Sequence, residues 1–153
     1  MKKTIYMETT QIAVDKTAGE IITLLTGPGK ACSVSTKYDG GRLIGLTWAI
    51  TVEGVDLHFC MPVREGSVYL LLAKRRTNRP ESLPLKTRVA LKEQAARVAW
   101  RQLLRWVEAQ IAMIEVGMVK HHEVFMPYMQ RADGGTFFEY FEGQRLQLTS
   151  AEG

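Results

Sequence analysis

The hydrophobic positions of this chain change their period twice along its length. Across residues 43–52 the even positions are Ile44, Leu46, Trp48, Ile50 and Val52, and the odd ones are Leu43, Gly45, Thr47, Ala49 and Thr51. A bulky apolar face opposite a small or polar one is the period-two pattern of a half-buried strand. After Glu53-Gly54 the alternation resumes, with Val55, Leu57, Phe59, Met61 and Val63 set against Asp56, His58, Cys60 and Pro62. The two-residue interval predicts a hairpin. Asp39-Gly40-Gly41 joins a strand over residues 33–38 to this pair, and the apolar run 67–73 reads as a fourth strand. Upstream, a short strand is expected over residues 10–14, followed by a helix. Thr17 and Glu20 have the spacing of a capping box, Ile21, Leu24 and Leu25 supply an apolar face, and Gly27-Pro28-Gly29 stops the helix.

Beyond residue 77 the period becomes helical. Residues 77–84 read as a loop, and Pro84 suits the first position of a helix because its missing amide proton costs nothing there. At 100° per residue, Val89, Ala96, Trp100, Leu103, Val107, Ile111, Ile114 and Met118 fall on one face, which predicts a long helix over 84–116 with Gly117 as its stop. A shorter helix over 121–129, a turn at Arg131-Ala-Asp-Gly-Gly and an aromatic stretch over 136–141 follow. Phe137, Phe138, Tyr140 and Phe141 are expected to staple the C-terminus over the core. The elements together predict an α+β fold: a three- or four-stranded antiparallel meander with an N-terminal helix and a long C-terminal helix packed on one face. A single domain over 1–149 with a loose tail over 150–153 is expected. Leu91, Val98, Trp106 and Met113 lie outside the main stripe of the long helix and point to self-association as a homodimer.

Composition narrows the classes. No apolar run approaches the roughly 20 residues of a membrane span, and Glu8 follows Ile5, Tyr6 and Met7 too closely for a secretory leader. Two cysteines, Cys32 and Cys60, read as reduced thiols of a cytoplasmic protein. The formal charge of +4 is unevenly spread. Between Lys74 and Arg105 lie ten bases and only two acids, Glu81 and Glu93, so this stretch is +8 and the remainder −4. Such a concentration points to an anionic partner.

No catalytic or metal-binding constellation can be assembled. His121-His122-Glu123 lacks a second ligand at helical spacing, and His58 with Cys60 offers two ligands where a closed zinc site needs four. Ser33, Ser35 and Ser67 have no nucleophile elbow, and Asp56 with His58 has no third member. The glycine turns before Lys30 and Arg42 lack the strand-to-helix setting of a phosphate loop. No enzyme activity and no cofactor are expected. The site expected instead is basic: Lys74, Arg75, Arg76 and Arg79 in a loop, with Arg97, Arg101 and Arg105 as a stripe at i, i+4 and i+8 along the long helix.

Several motifs occur in order along the chain: Thr10-x-x-x-Val14-Asp15-Lys16-Thr17-x-x-Glu20-Ile21, Met61-Pro62, Arg97-x-x-Trp100-Arg101-x-Leu103-Leu104, Ile114-Glu115-x-Gly117, Glu123-x-Phe125-Met126-x-Tyr128, and Asp133-Gly134-x-Thr136. In these the chain resembles a family of short hypothetical proteins of phages and other bacterial mobile elements. The resemblance implies a bacterial or phage-infected cytoplasm and a place among replication, recombination or counter-defence genes. With the basic segment, it leads to the expectation of a non-catalytic accessory protein that binds nucleic acid. The alternative is an adaptor or inhibitor that sets the same bases against an acidic surface on a host enzyme or defence complex.

Overall fold

The structure, a computed structural model, describes residues 4–149, with side chains through Gln144; the tail expected over 150–153 lies outside the described residues. Helix α1 (Val14–Thr26) precedes strands β1 (Ser33–Asp39), β2 (Arg42–Val52) and β3 (Val55–Pro62). Helices α2 (Glu65–Lys74), α3 (Leu85–Glu115), α4 (His121–Val124) and α5 (Phe137–Thr149) follow. The strands form one antiparallel meander, β1-β2-β3.

The alternation of β2 and β3 decides the buried face. Leu46 pairs with Met61, Trp48 with Phe59 and Ile50 with Leu57, so the large apolar side chains stand together across the strands. On this face lie Ile21 and Leu25 of α1, Trp100, Leu104, Val107 and Ile111 of α3, and Phe125. The opposite face, with Thr51, Asp56 and His58, is open to water. Both hairpins turn on two residues: Gly40 and Gly41 have φ of 56° and 79°, and Glu53 and Gly54 of 50° and 80°. Positive φ at both positions matches the turn to the strand twist. Gly45 is required by close approach, since a Cβ there would stand 2.6 Å from the Met61 carbonyl oxygen.

The fourth strand expected over 67–73 is instead helix α2. A continuous apolar run has no period of its own to separate strand from buried helix. Its leucines and alanine favour the helix, and Val68, Leu72 and Ala73 then meet Leu91, Ala95 and Val98 of α3 in a second apolar cluster. The sheet is therefore three-stranded. The strand expected over 10–14 is an unpaired extended segment that ends in the first turn of α1. Its backbone is held by the amide of Gln94, whose Nε2 donates to the carbonyls of Glu8 (2.8 Å) and Thr10 (2.9 Å). The capping box also fails: the N-cap of α1 is Ala13, four residues before Thr17, and Thr17 is buried. The shorter helix over 121–129 is a four-residue α4 and a 3-10 turn, Met126–Tyr128.

Helix α3 matches the expected span within one residue at each end, and Gly117 closes it at φ 76°. Its expected face is only part of what is covered. Val89 and Met118 are exposed, whereas Leu91 and Val98 are buried under α2. Trp106 packs edge-on against Phe125 and Tyr128. Of the four residues on which self-association was expected, Leu91 and Val98 are thus covered within one chain, and Trp106 and Met113 are half-buried. No helix among the described residues is long and apolar enough to cross a membrane.

One polar pair is sealed into the core. The indole Nε1 of Trp48 donates to Nε2 of His121 at 2.9 Å, and both side chains are buried. The Trp48 ring stacks on Phe59 and meets Phe125 edge-on. An Nε2 that accepts must be unprotonated, so the imidazole is neutral with its proton on Nδ1. Burial pushes the His121 pKa down to about 4, helped by His122 and opposed by the Gly29 backbone. The unfolded chain, with the ordinary value of 6.5, takes up the proton first as pH falls. Stability supplied by neutral His121 is therefore complete above about pH 6.5 and is lost progressively towards pH 4, by roughly 2–3 kcal/mol in all. His121→Gln keeps an acceptor for Trp48 without a titrating group. Urea melts of both proteins between about pH 7 and pH 4 should show a gap that shifts by that amount in favour of the variant as pH falls. Parallel curves would mean that His121 does not titrate on unfolding.

Candidate nucleic-acid interface

The end of the α2–α3 hairpin gathers charge because the basic residues of the sequence fall on the turn that joins the two helices. Helix α2 ends at Lys74, a cation at the negative end of its dipole. The amides of Arg76 and Thr77 close the last turn on the Ala73 carbonyl. Pro80 then starts a single 3-10 turn, Pro80–Ser82, and Pro84 caps α3. Arg88 is used within the turn, its Nε donating to the Leu83 carbonyl at 3.1 Å. Lys74, Arg76, Arg79 and Lys86 remain, all exposed. Among the described residues none of the four makes an ion pair. The acid within this turn is Glu81. Arg75 points the other way and pairs with Glu8 of the N-terminal segment.

The stripe expected along α3 is divided between three environments. Arg101 is buried, its side chain 6% exposed. Its guanidinium donates to Glu20 at 2.7 Å and to the Thr17 hydroxyl at 3.4 Å, both on α1, while its Nε has no partner among the described residues. Thr17 and Glu20, expected to cap α1, are turned across to α3 instead. Arg97 is half-buried and its guanidinium donates to the side-chain Oε1 of Gln94 at 2.6 and 3.0 Å. Arg105 is exposed and paired with Glu108 on its own helix at 2.9 Å; that hydrogen bond holds its pKa above the ordinary value. The stripe was expected to be open because the apolar pattern marks one covered side. The wall beside it belongs to α1, which no period within α3 can reveal. Of the seven expected residues, Lys74, Arg76 and Arg79 come together, exposed, at the loop, with Lys86 beside them, whereas Arg75, Arg97, Arg101 and Arg105 are bonded within the fold. Lys86 sits in the same basic stretch and is brought to the loop by the start of α3.

The aromatic residues of α5 also depart from expectation. Phe137, Phe138, Tyr140 and Phe141 are exposed rather than stapled over the core. Helix α5 touches the molecule mainly at the Met126–Tyr128 turn, and Arg64 and Arg131 lie over the rings of Phe138 and Tyr140. The stretch expected only as aromatic is the start of a helix, and the place a staple would have filled is taken by Phe125, which is buried in the core.

No protein-family model matches this chain, and no curated protein or solved structure is significantly similar to it. What the surfaces can bind is therefore read from their own chemistry. Cys32 and Cys60 are free thiols, Cys32 exposed and Cys60 half-buried. Among the described residues no three His, Cys, Asp or Glu side chains converge in a metal-binding arrangement.

The division of the stripe has a direct test in stability. Replacing Arg101 by Gln leaves Glu20 and Thr17 without their partner and opens a buried site. The cost should be about 2–3 kcal/mol, or a drop of roughly 5–10 °C in Tm. Arg105→Gln, on the exposed face, should cost less than about 0.5 kcal/mol. Equal melting points in a calorimeter would contradict the burial of Arg101.

Proposed function

We propose that this chain is a non-catalytic accessory protein of a phage or mobile element that holds nucleic-acid phosphates on the end of its α2–α3 hairpin. The observation that carries this reading is the group Lys74, Arg76, Arg79 and Lys86: four exposed cations around one turn, none spent on an ion pair among the described residues. Each can neutralise a phosphate and release its counterion, which favours binding without reading bases. The ordered run of motifs resembling those of phage and mobile-element proteins supports the setting, and with it a cytoplasmic site of action. Leu70 and Leu71, about half exposed in the turn before Lys74, favour a second reading. Phosphates have no use for them, whereas an acidic groove on a host protein would bury them beside the bases.

Fluorescence anisotropy with labelled single- and double-stranded oligonucleotides across a salt series tests the first reading. Three or four neutralised phosphates give a slope of log affinity against log salt of about −3 to −4 on duplex DNA. Replacing Lys74, Arg76 and Arg79 by Gln should flatten that slope by about one for each phosphate no longer held and leave the melting temperature within about 2 °C. Absence of binding at low salt would remove the nucleic-acid reading. If Leu70→Ser with Leu71→Ser abolished capture of a host protein that nuclease treatment leaves bound, the second reading would take its place.

A further inference from the structure

We propose that the exposed aromatic face of α5 is the surface through which two copies of this chain pair about a two-fold axis. Phe137, Phe138, Tyr140 and Phe141 are each between 37% and 48% exposed, and Met126 beside them is 48% exposed. Together with Pro127, Glu123 and Gln144 they line an open groove of about 630 Å³. Large apolar side chains exposed singly are ordinary, but five that share one groove are not.

The helix itself states what it lacks. A 13-residue helix is marginal in water unless an apolar face is packed. Its own chain covers α5 mainly at the Met126–Tyr128 turn, while Arg64 and Arg131 stand over rings at the two edges of the face. Phe137, Phe141 and Gln144, at i, i+4 and i+7, form the centre of that face. A second copy brings a helix with the same deficit and the same spacing, so one contact completes both.

The area suits a weak pair. Taking roughly 200 Å² for each of these residues, the exposures leave at most about 450 Å² per copy, or about 900 Å² in a symmetric pair. That is just under the roughly 1,000 Å² of a stable specific interface, so the pair should dissociate at micromolar concentration rather than behave as an obligate dimer. No residue of the basic turn between α2 and α3 lines this groove.

Sedimentation velocity on the full chain from roughly 1 to 100 μM should show monomer passing to dimer. Phe141→Glu places two like charges against one another at the centre of the pair and should hold the chain monomeric throughout. Lys74→Glu with Arg76→Glu should leave the dimer intact at moderate salt. Because a charge at Phe141 can also unseat α5 itself, a second variant reads the geometry directly. With Cys32→Ser and Cys60→Ser as background, Phe141→Cys oxidised with diamide should give a disulfide-linked dimer, since a residue near a two-fold axis faces its own copy. Monomer at every concentration, a dimer that survives Phe141→Glu, a dimer abolished by reversing Lys74 and Arg76, or no cross-link would each overturn the proposal. None of these outcomes bears on the oligonucleotide titration, so the pairing and the nucleic-acid reading stand or fall separately.

Discussion

A helix of 31 residues in a chain of 153 residues sets the terms for everything else. At about 1.5 Å per residue α3 is some 46 Å long, more than one small sheet can shield. The molecule solves this by surrounding it. The sheet and α1 take one side, α2 takes another, and the segment before α1 is laid along a third by Gln94 and by Gln102, whose Nε2 donates to the Tyr6 carbonyl at 2.8 Å. Side chains that would be surface on an isolated helix become internal. Arg101 is the clearest case: its charge is retained inside because α1 presents Glu20 to meet it.

The same constraint sorts the excess of positive charge. A base on α3 within reach of α1 or of a neighbouring acid or amide on its own helix is used to join elements or to satisfy its own turn. Beside the end of α2, where α3 begins, Lys74, Arg76, Arg79 and Lys86 make no ion pair among the described residues, and further along α3 Lys92 stands over the Tyr69 ring. The basic stretch thus holds two populations interleaved in sequence: bases such as Arg75, Arg88 and Arg101 that are bonded within the fold, and exposed ones such as Lys74, Arg76 and Arg79.

How far the sequence could be followed depends on whether an element is specified locally. Strands β2 and β3 carry their burial in their alternation, and the Glu53-Gly54 turn carries its own geometry, so both were legible. So was the span of α3, bounded by Pro84 and Gly117. The apolar run that forms α2 was not, because its state is decided by α3 at Leu91, Ala95 and Val98, residues lying well downstream. Nor was the fate of Thr17 and Glu20: their spacing is that of a cap, but a buried guanidinium 81 residues away competes for Glu20 and prevails. For the site, residue type and clustering were legible and accessibility was not. Accessibility is a property of the wall opposite, and that wall is made of other elements.

The bond between Trp48 and His121 has a temporal side. It closes a loop of 73 residues that contains β3, α2 and the whole of α3. Closing so long a loop costs chain entropy that nearer contacts must first repay. The meander and the α2–α3 hairpin, built from neighbours in sequence, can form before it. On a ribosome the N-terminal half must wait with the indole of Trp48 unsealed until residues 121–125 have emerged, so the last piece of the core to be synthesised is also the one that shuts it.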